Sequence, residues 1–425
     1  MLNRTEAPNF NQVDQINFIA PKEQILANGI KVFTLNAGQQ ELVRIEFIFS
    51  NVNWDSTKPL QAVAVNSLIN NGTKKLSAKQ IADQIDYYGA FLQTEYAADQ
   101  TIITLYSLNK HLTSVLPIVW SILNESVFPE KELSIFVQNQ KQKLQVNLQK
   151  NDFLARKTFA NAIFGNTPYG MDIAAADYDL LKREDLLAYY QAAFKPENCT
   201  IVAAGKFGLE EFELLDKFFG RSWENHGADV PMHFTYQATA GKEIYLEKSD
   251  AVQSALRIGQ LSINRKHADF PSLQILNCVL GGYFGSRLMA NIREDKGYTY
   301  GIGSGISALK DAGYFFIATE VGTEVCNEAL REIEKEINLL QTTLVGEQEL
   351  NLVRSYMLGA MLGSLENAFS HADKFKNIYF SGLGYDYYQK YIQTVKSITS
   401  EEILATANTY LNWNEMTKVI VGKKN

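Results

Sequence analysis

Histidine and cysteine are both scarce in this chain. The five histidines, His111, His226, His233, His267 and His371, are scattered over 425 residues. No two stand at the spacing that places a pair of metal ligands on one helical face, and each reads as a surface or loop residue. The three cysteines, Cys199, Cys278 and Cys326, are odd in number and form no C-x-x-C. This excludes a disulfide framework and points to reduced, buried thiols. No apolar run approaches the ~18 residues of a membrane span. The opening MLNRTEAPNFNQVDQINFIA has no apolar core of the about 7–15 residues that a signal peptide needs. These absences predict a cytoplasmic protein with no membrane association. Acids outnumber bases, 47 to 40, for a net charge of −7, which argues against a nucleic-acid partner held through phosphates. There is no Gly-x-Ser-x-Gly elbow and no Walker loop.

What the chain does have is a repeat of itself. Glu184–Lys206, EDLLAYYQAAFKPENCTIVAAGK, aligns without gaps to Glu401–Lys423, EEILATANTYLNWNEMTKVIVGK, at a constant offset (401 − 184 = 422 − 205 = 217). Each copy reads as an acid-led helix, a turn and a β-branched strand ending in Gly-Lys. The order before it repeats as well. Val43–Phe49 alternates apolar residues with Arg44 and Glu46 and predicts a half-buried strand. An apolar helix follows up to Asn71-Gly72. Ser77 caps a helix Ala78–Tyr88 that Gly89 stops, and a strand Thr101–Leu108 comes next. Ala255–Leu261, a helix up to Gly281-Gly282, a helix stopped by Gly297 and a strand Gly313–Val321 give the same order again. Glu324–Gln341 then carries Val325, Ala329, Ile333, Ile337 and Leu340 on one stripe. This predicts an α+β fold of two homologous domains, each a mainly antiparallel sheet with helices packed on one face. With 46% hydrophobic residues, each half has enough to bury a core of its own. The expected domains are residues 1–224 and 241–425. They are joined by a linker at 225–240, within the aperiodic, Gly- and polar-rich stretch Trp223–Gly241.

One stretch of the second half holds the candidate chemistry: Gly281–Ser307, GGYFGSRLMANIREDKGYTYGIGSGIS. Gly281 and Gly282 end an apolar helical run, where a left-handed cap is expected. Ser286 can cap a second helix, Arg287–Lys296, that Gly297 ends, and Tyr298–Ile306 reads as a strand. Arg293 and Tyr300 thus stand seven residues apart, one near a helix end and the other entering a strand. The frame GG-x-x-x-SRL-x-x-x-IRE-x-KG-x-x-Y resembles the second domain of the insulinase/pitrilysin family of zinc metallopeptidases, which includes the mitochondrial processing peptidases. The resemblance extends over nearly the whole chain after about residue 20. It implies a clamshell of two homologous domains, in which an arginine and a tyrosine at this spacing reach a substrate held in a partner domain's zinc site. Arg293 and Tyr300 match those positions.

In that family the first domain carries H-x-x-E-H on the helix just before a Gly-Thr, with a later glutamate as third zinc ligand. Here the Gly-Thr is Gly72-Thr73, and the motif positions fall on Val63, Asn66 and Ser67. The third-ligand position falls at about Lys143, and no Asp or Glu occurs between Leu133 and Asn151. This chain is therefore expected to bind no metal and to need no cofactor of its own. The resemblance implies a non-zinc subunit of a heteromeric metallopeptidase. A homologous, zinc-bearing H-x-x-E-H subunit would be its partner, an extended peptide its substrate, and Arg293 and Tyr300 its catalytic contribution. Two other roles fit the lost motif: a non-enzymatic structural subunit like the core proteins of respiratory complexes, and a peptide-binding module.

Overall fold

The computed structural model describes residue 13, residues 15–224 and residues 241–424. The expected linker 225–240, with His226 and His233, lies outside the described residues. The first half runs β1 (Lys22–Ile25), β2 (Lys31–Asn36), β3 (Leu42–Ser50), α1 (Gln61–Leu68), α2 (Ala78–Tyr87), β4 (Phe91–Tyr96) and β5 (Gln100–Leu108). It continues with α3 (Leu112–Glu125), α4 (Glu130–Asn147), α5 (Asn151–Phe164), α6 (Ala175–Asp179), α7 (Arg183–Ala193), β6 (Cys199–Gly205) and α8 (Leu209–Leu215). The second half begins with β7 (Glu243–Glu247), β8 (Gln253–Ser262), α9 (Phe270–Asn277), β9 (Thr299–Ala308) and β10 (Gly313–Gly322). It ends with α10 (Cys326–Thr342), α11 (Glu347–Gly363), α12 (Ala368–Tyr379), α13 (Asp386–Ser397), α14 (Ser400–Tyr410) and β11 (Thr417–Gly422).

Local chemistry sets these elements. Ser77 and Gln80 form a reciprocal capping box that starts α2, with Ile81 and Ile85 on its buried face. Gly89 and Gly297 are both left-handed, at φ +59° and +66°, as equivalent helix stops require. The amphipathic stripe of α10 is buried as its period predicts, through Ala329, Ile333, Ile337 and Leu340.

The two sheets share one plan. The first is ordered β1-β2-β6-β3-β5-β4 and the second β7-β11-β8-β10-β9. In each, one pair is parallel (β2 with β6, β7 with β11) and the other pairs are antiparallel. The repeat also reaches further than the helix–strand unit that revealed it. Helices α4 and α11, α5 and α12, and α7 and α14 all begin one offset apart (347 − 130 = 368 − 151 = 400 − 183 = 217).

Each domain's own helices pack on one face of its sheet, as expected, but the opposite face is covered too. Helix α12 of the second half lies on the first sheet, where Ala368, Ala372 and Phe375 meet Phe33, Leu35, Ile48, Val202 and Ala204. Reciprocally, α5 of the first half covers the second sheet, with Phe159 and Ile163 in the same cluster as Ala255, Val419 and Val421. This corrects the reading of β3 as half-buried. Arg44 and Glu46 are 6% and 4% exposed because they face α12 rather than water. Arg44 donates to both oxygens of Asp373 and to the Phe369 carbonyl, and Glu46 pairs with Arg44 and Lys376. The three cysteines are free and buried. No helix among the described residues is long and apolar enough to cross a membrane.

Candidate functional site

The motif positions of the first half lie on α1, which packs between α7 and β4. Val63 is half-buried and has no donor atom. Asn66 is buried, and its amide donates to the Glu95 carbonyl of β4 at 3.1 Å. Ser67 turns its hydroxyl back to the Val63 carbonyl at 2.8 Å. Lys143 is exposed on α4. A hydrocarbon, a structurally engaged amide, a back-bonded hydroxyl and an ammonium do not fit a zinc ion, which takes thiolate, imidazole or carboxylate donors. Among the described residues no group of three His, Cys, Asp or Glu side chains could hold a metal.

The second-half stretch is built differently from its expected form in two details. Gly281 and Gly282 are not left-handed, and α9 runs on into a π-helical turn, Cys278–Gly282. Gly281 is required instead by close approach: a Cβ there would lie 2.6 Å from Ser304 Oγ and 2.7 Å from the Ser304 nitrogen of β9. Ser286 does not cap the next helix through its side chain. Its hydroxyl is buried and has no partner among the described residues, while its carbonyl accepts from Ala290 N–H.

The helical segment after it includes a second π-helical turn, Met289–Asp295, a distortion that recurs at functional sites. It is anchored on two sides. Arg287 makes a bidentate pair with Glu349 of α11, at 2.8 and 2.9 Å. Asn291 donates to Glu332 and Glu336 of α10, at 2.9 and 2.7 Å. Tyr298 N–H then closes onto the Ile292 carbonyl and leads into β9.

Arg293 and Tyr300 project from these adjoining elements, and no hydrogen bond joins them. The Arg293 guanidinium lies over the Phe284 ring, 4.7 Å from its centre, a contact worth about 0.5–1 kcal/mol at an exposed site. Among the described residues no carboxylate pairs with it. Tyr300 is 92% exposed, and its phenol has no hydrogen-bond partner among the described residues. The strand register explains that exposure. Thr319 and Val321 of β10 pair with Ile302 and Thr299 of β9, so three steps of β9 oppose two of β10. The extra residue is a bulge at Tyr300–Gly301, a device that re-aims a side chain. Thr299 Oγ1 holds it by donating to the Glu320 carbonyl at 2.7 Å, and Thr319 Oγ1 does so by donating to the Gly301 carbonyl at 3.0 Å. Phe284, the bulge and the Arg287–Glu349 anchor were not identified from sequence.

Comparison with known proteins agrees with this architecture. Residues 181–357 match the family described as "Peptidase M16 inactive domain". A Bacillus subtilis protein named "Uncharacterized zinc protease YmxG" is 24% identical over 81% of this chain and 85% of its own length. A Helicobacter pylori protein named "Non-peptidase homolog YmxG" is 24% identical over 84% of this chain and 83% of its own. Among solved structures, a Pseudomonas fluorescens peptidase M16 inactive domain superposes with a TM-score of 0.86 at 21% identity, covering 95% of this chain and 98% of that one. The fold is that of a duplicated α+β protein, and Val63, Asn66, Ser67 and Lys143 supply no zinc-ligand set. The match to the M16 inactive-domain model covers the middle of the chain, the relatives resemble it over most of its length, and the solved structure shares its fold.

Proposed function

We propose that this chain is the non-zinc subunit of a two-chain M16 peptidase, lending Arg293 and Tyr300 to a site whose zinc and general base belong to a homologous H-x-x-E-H subunit. The observation that carries this reading is the pair itself. An arginine rests on an aromatic ring with no carboxylate paired to it among the described residues, and a bulge in the strand that follows turns a tyrosine into solvent. Both are donors held ready on an anchored frame. Among the described residues neither polar group has a hydrogen-bond partner in the fold.

Their chemistry suits an extended peptide. The guanidinium and the phenol each donate to a peptide carbonyl oxygen, and the bonds strengthen as that oxygen gains negative charge at the tetrahedral stage. Peptide backbone can also pair with a sheet edge, which fixes the carbonyl's direction without reading side chains. With the partner's site closed over it, the pair works in a water-poor space where such bonds count most.

The test is to combine the chain with candidate zinc-bearing homologues and measure peptide hydrolysis by each chain and by the mixture. With a productive partner at saturation, Arg293→Ala should lower kcat by about 10²–10³, the usual loss for one oxyanion donor, with a smaller change in KM. Unchanged kcat in an intact complex would overturn the shared site and leave a structural subunit.

A further inference from the structure

The duplication produces a second feature. In the first half, Gln140, Lys143, Leu144 and Asn147 of α4 and Lys157 of α5 line a cavity of about 430 Å³. In the second half, Met357, Ala360 and Met361 of α11, Ser364 at its C-terminal end and Lys374 of α12 line one of about 300 Å³. These are the same positions displaced by one offset (357 − 140 = 360 − 143 = 361 − 144 = 364 − 147 = 374 − 157 = 217). The two cavities therefore descend from one design, and their polar groups have diverged. Lys157 is neutralised by an ion pair with Asp172. The counterpart of Asp172 is Gln389 (389 − 172 = 217), which carries no charge, and among the described residues Lys374 has no salt bridge.

We propose that the second-half cavity binds a carboxylate flanked by an N–H donor, the chemistry of a peptide's C-terminal residue and of a free amino acid. Lys374 supplies the cation for the carboxylate. Gln274 Oε1 and Asn277 Oδ1, from the helix on the cavity's other side, supply acceptors for the N–H. Both oxygens are buried and have no hydrogen bond among the described residues, and buried acceptors left unpaired are costly to keep. Tyr356, Tyr391, Met357 and Met361 complete the wall and offer aromatic and thioether surface to one side chain. The size lies at the lower end for small-molecule sites and suits a single residue.

The electrostatics agree with this geometry. Burial, and then the positive charge of Arg265, push the Lys374 ammonium below its ordinary pKa, against the pull of Asp373. Asp373 is already engaged by Arg44 and Lys376. The charge of an entering carboxylate would offset both unfavourable effects.

The site belongs to this chain alone and does not depend on a zinc-bearing partner, so the isolated full-length protein is the material to use. Calorimetric titration with N-acetyl-alanyl-leucine, its C-terminal amide and free leucine separates the possibilities. At least one free acid should bind, and the amide should bind at least about tenfold more weakly. Lys374→Met should weaken the acid by about 10- to 100-fold, the range for a hydrogen bond to a charged group, while Lys374→Arg retains most of the affinity. Tighter binding of the acetylated peptide assigns the site to peptide ends, and tighter binding of leucine assigns it to free amino acids. Circular dichroism and melting of each variant establish that it is folded. Absence of binding by both acids, equal binding of acid and amide, or full affinity in folded Lys374→Met would overturn the proposal.

Discussion

Arg293 and Tyr300 differ from ordinary surface residues in what they do not do for the fold. A strand aromatic usually buries one ring face, and a helix arginine usually finds an acid one turn away. Here Tyr300 is 92% exposed, and Arg293 sits on Phe284. The stability cost of removing their polar groups should therefore be small. Tyr300→Phe deletes a hydroxyl with no partner among the described residues, so the change should stay within about 0.5 kcal/mol, as for a surface substitution. A phenol engaged in the fold would cost about 1 kcal/mol. Thermal melts of the isolated chain give the answer directly, and a clear fall in Tm would show that Tyr300 serves the fold rather than a ligand.

At the scale of elements, sequence period was a good guide wherever the burying partner was close in the chain. Helices α2 and α10 follow their apolar patterns, because the sheet and helices of their own half supply the core. The pattern misled at β3, where Arg44 and Glu46 looked solvent-facing. The element that buries them, α12, lies more than 300 residues away, and nothing local announces it. The candidate site divides in the same way. That Val63, Asn66, Ser67 and Lys143 offer no zinc-ligand set was legible because a side chain's donor set is written in its name. The bulge that exposes Tyr300 was not, because it depends on register against β10. The buried charges at β3 also make a testable pH response. Burial works to raise the Asp373 pKa, but the hydrogen bond from Arg44 and the charge of Lys376 outweigh it and hold it below the ordinary value of 3.8. A carboxylate with a depressed folded pKa stabilises fully above its unfolded pKa, and that stability is lost as pH falls through the folded value. Asp373→Asn should thus cost about 1 kcal/mol near neutrality, the upper end for a partly exposed pair. The gap from the wild type should begin to narrow below about pH 4 and go on narrowing as the pH falls. Melts from pH 7 to pH 3 would show it, and a gap that persists at the acid end would assign the cost to packing instead.

At the scale of the whole molecule, the exchange of α5 and α12 makes each half incomplete by itself. Without the second half, the outer face of the first sheet exposes Phe33, Leu35, Ile48, Val202 and Ala204, a contiguous apolar surface beside the charges of Arg44 and Glu46. The rings that cover Phe33, Phe375 at 4.7 Å and Tyr379 at 4.6 Å, both come from α12. Glu46 would lose Lys376 and Arg44 would lose Asp373, and a buried pair deprived of its outer partners is strongly destabilising. The second sheet loses Phe159 and Ile163 of α5 in the same way. Each half therefore has its own main core, yet the two should not be independently stable. A chain divided inside 225–240 tests this. Residues 1–224 produced alone should bind a hydrophobic dye and aggregate, as exposed apolar sheet faces do. Co-production with residues 241–425 should restore a soluble complex with one cooperative melt. The two sheet faces bury apolar residues against the exchanged helices, so the reassembled halves should survive gel filtration without a covalent link. If residues 1–224 alone give a sharp, reversible melt and no dye binding, the exchanged helices are surface decoration, and the two halves are free to move as separate bodies.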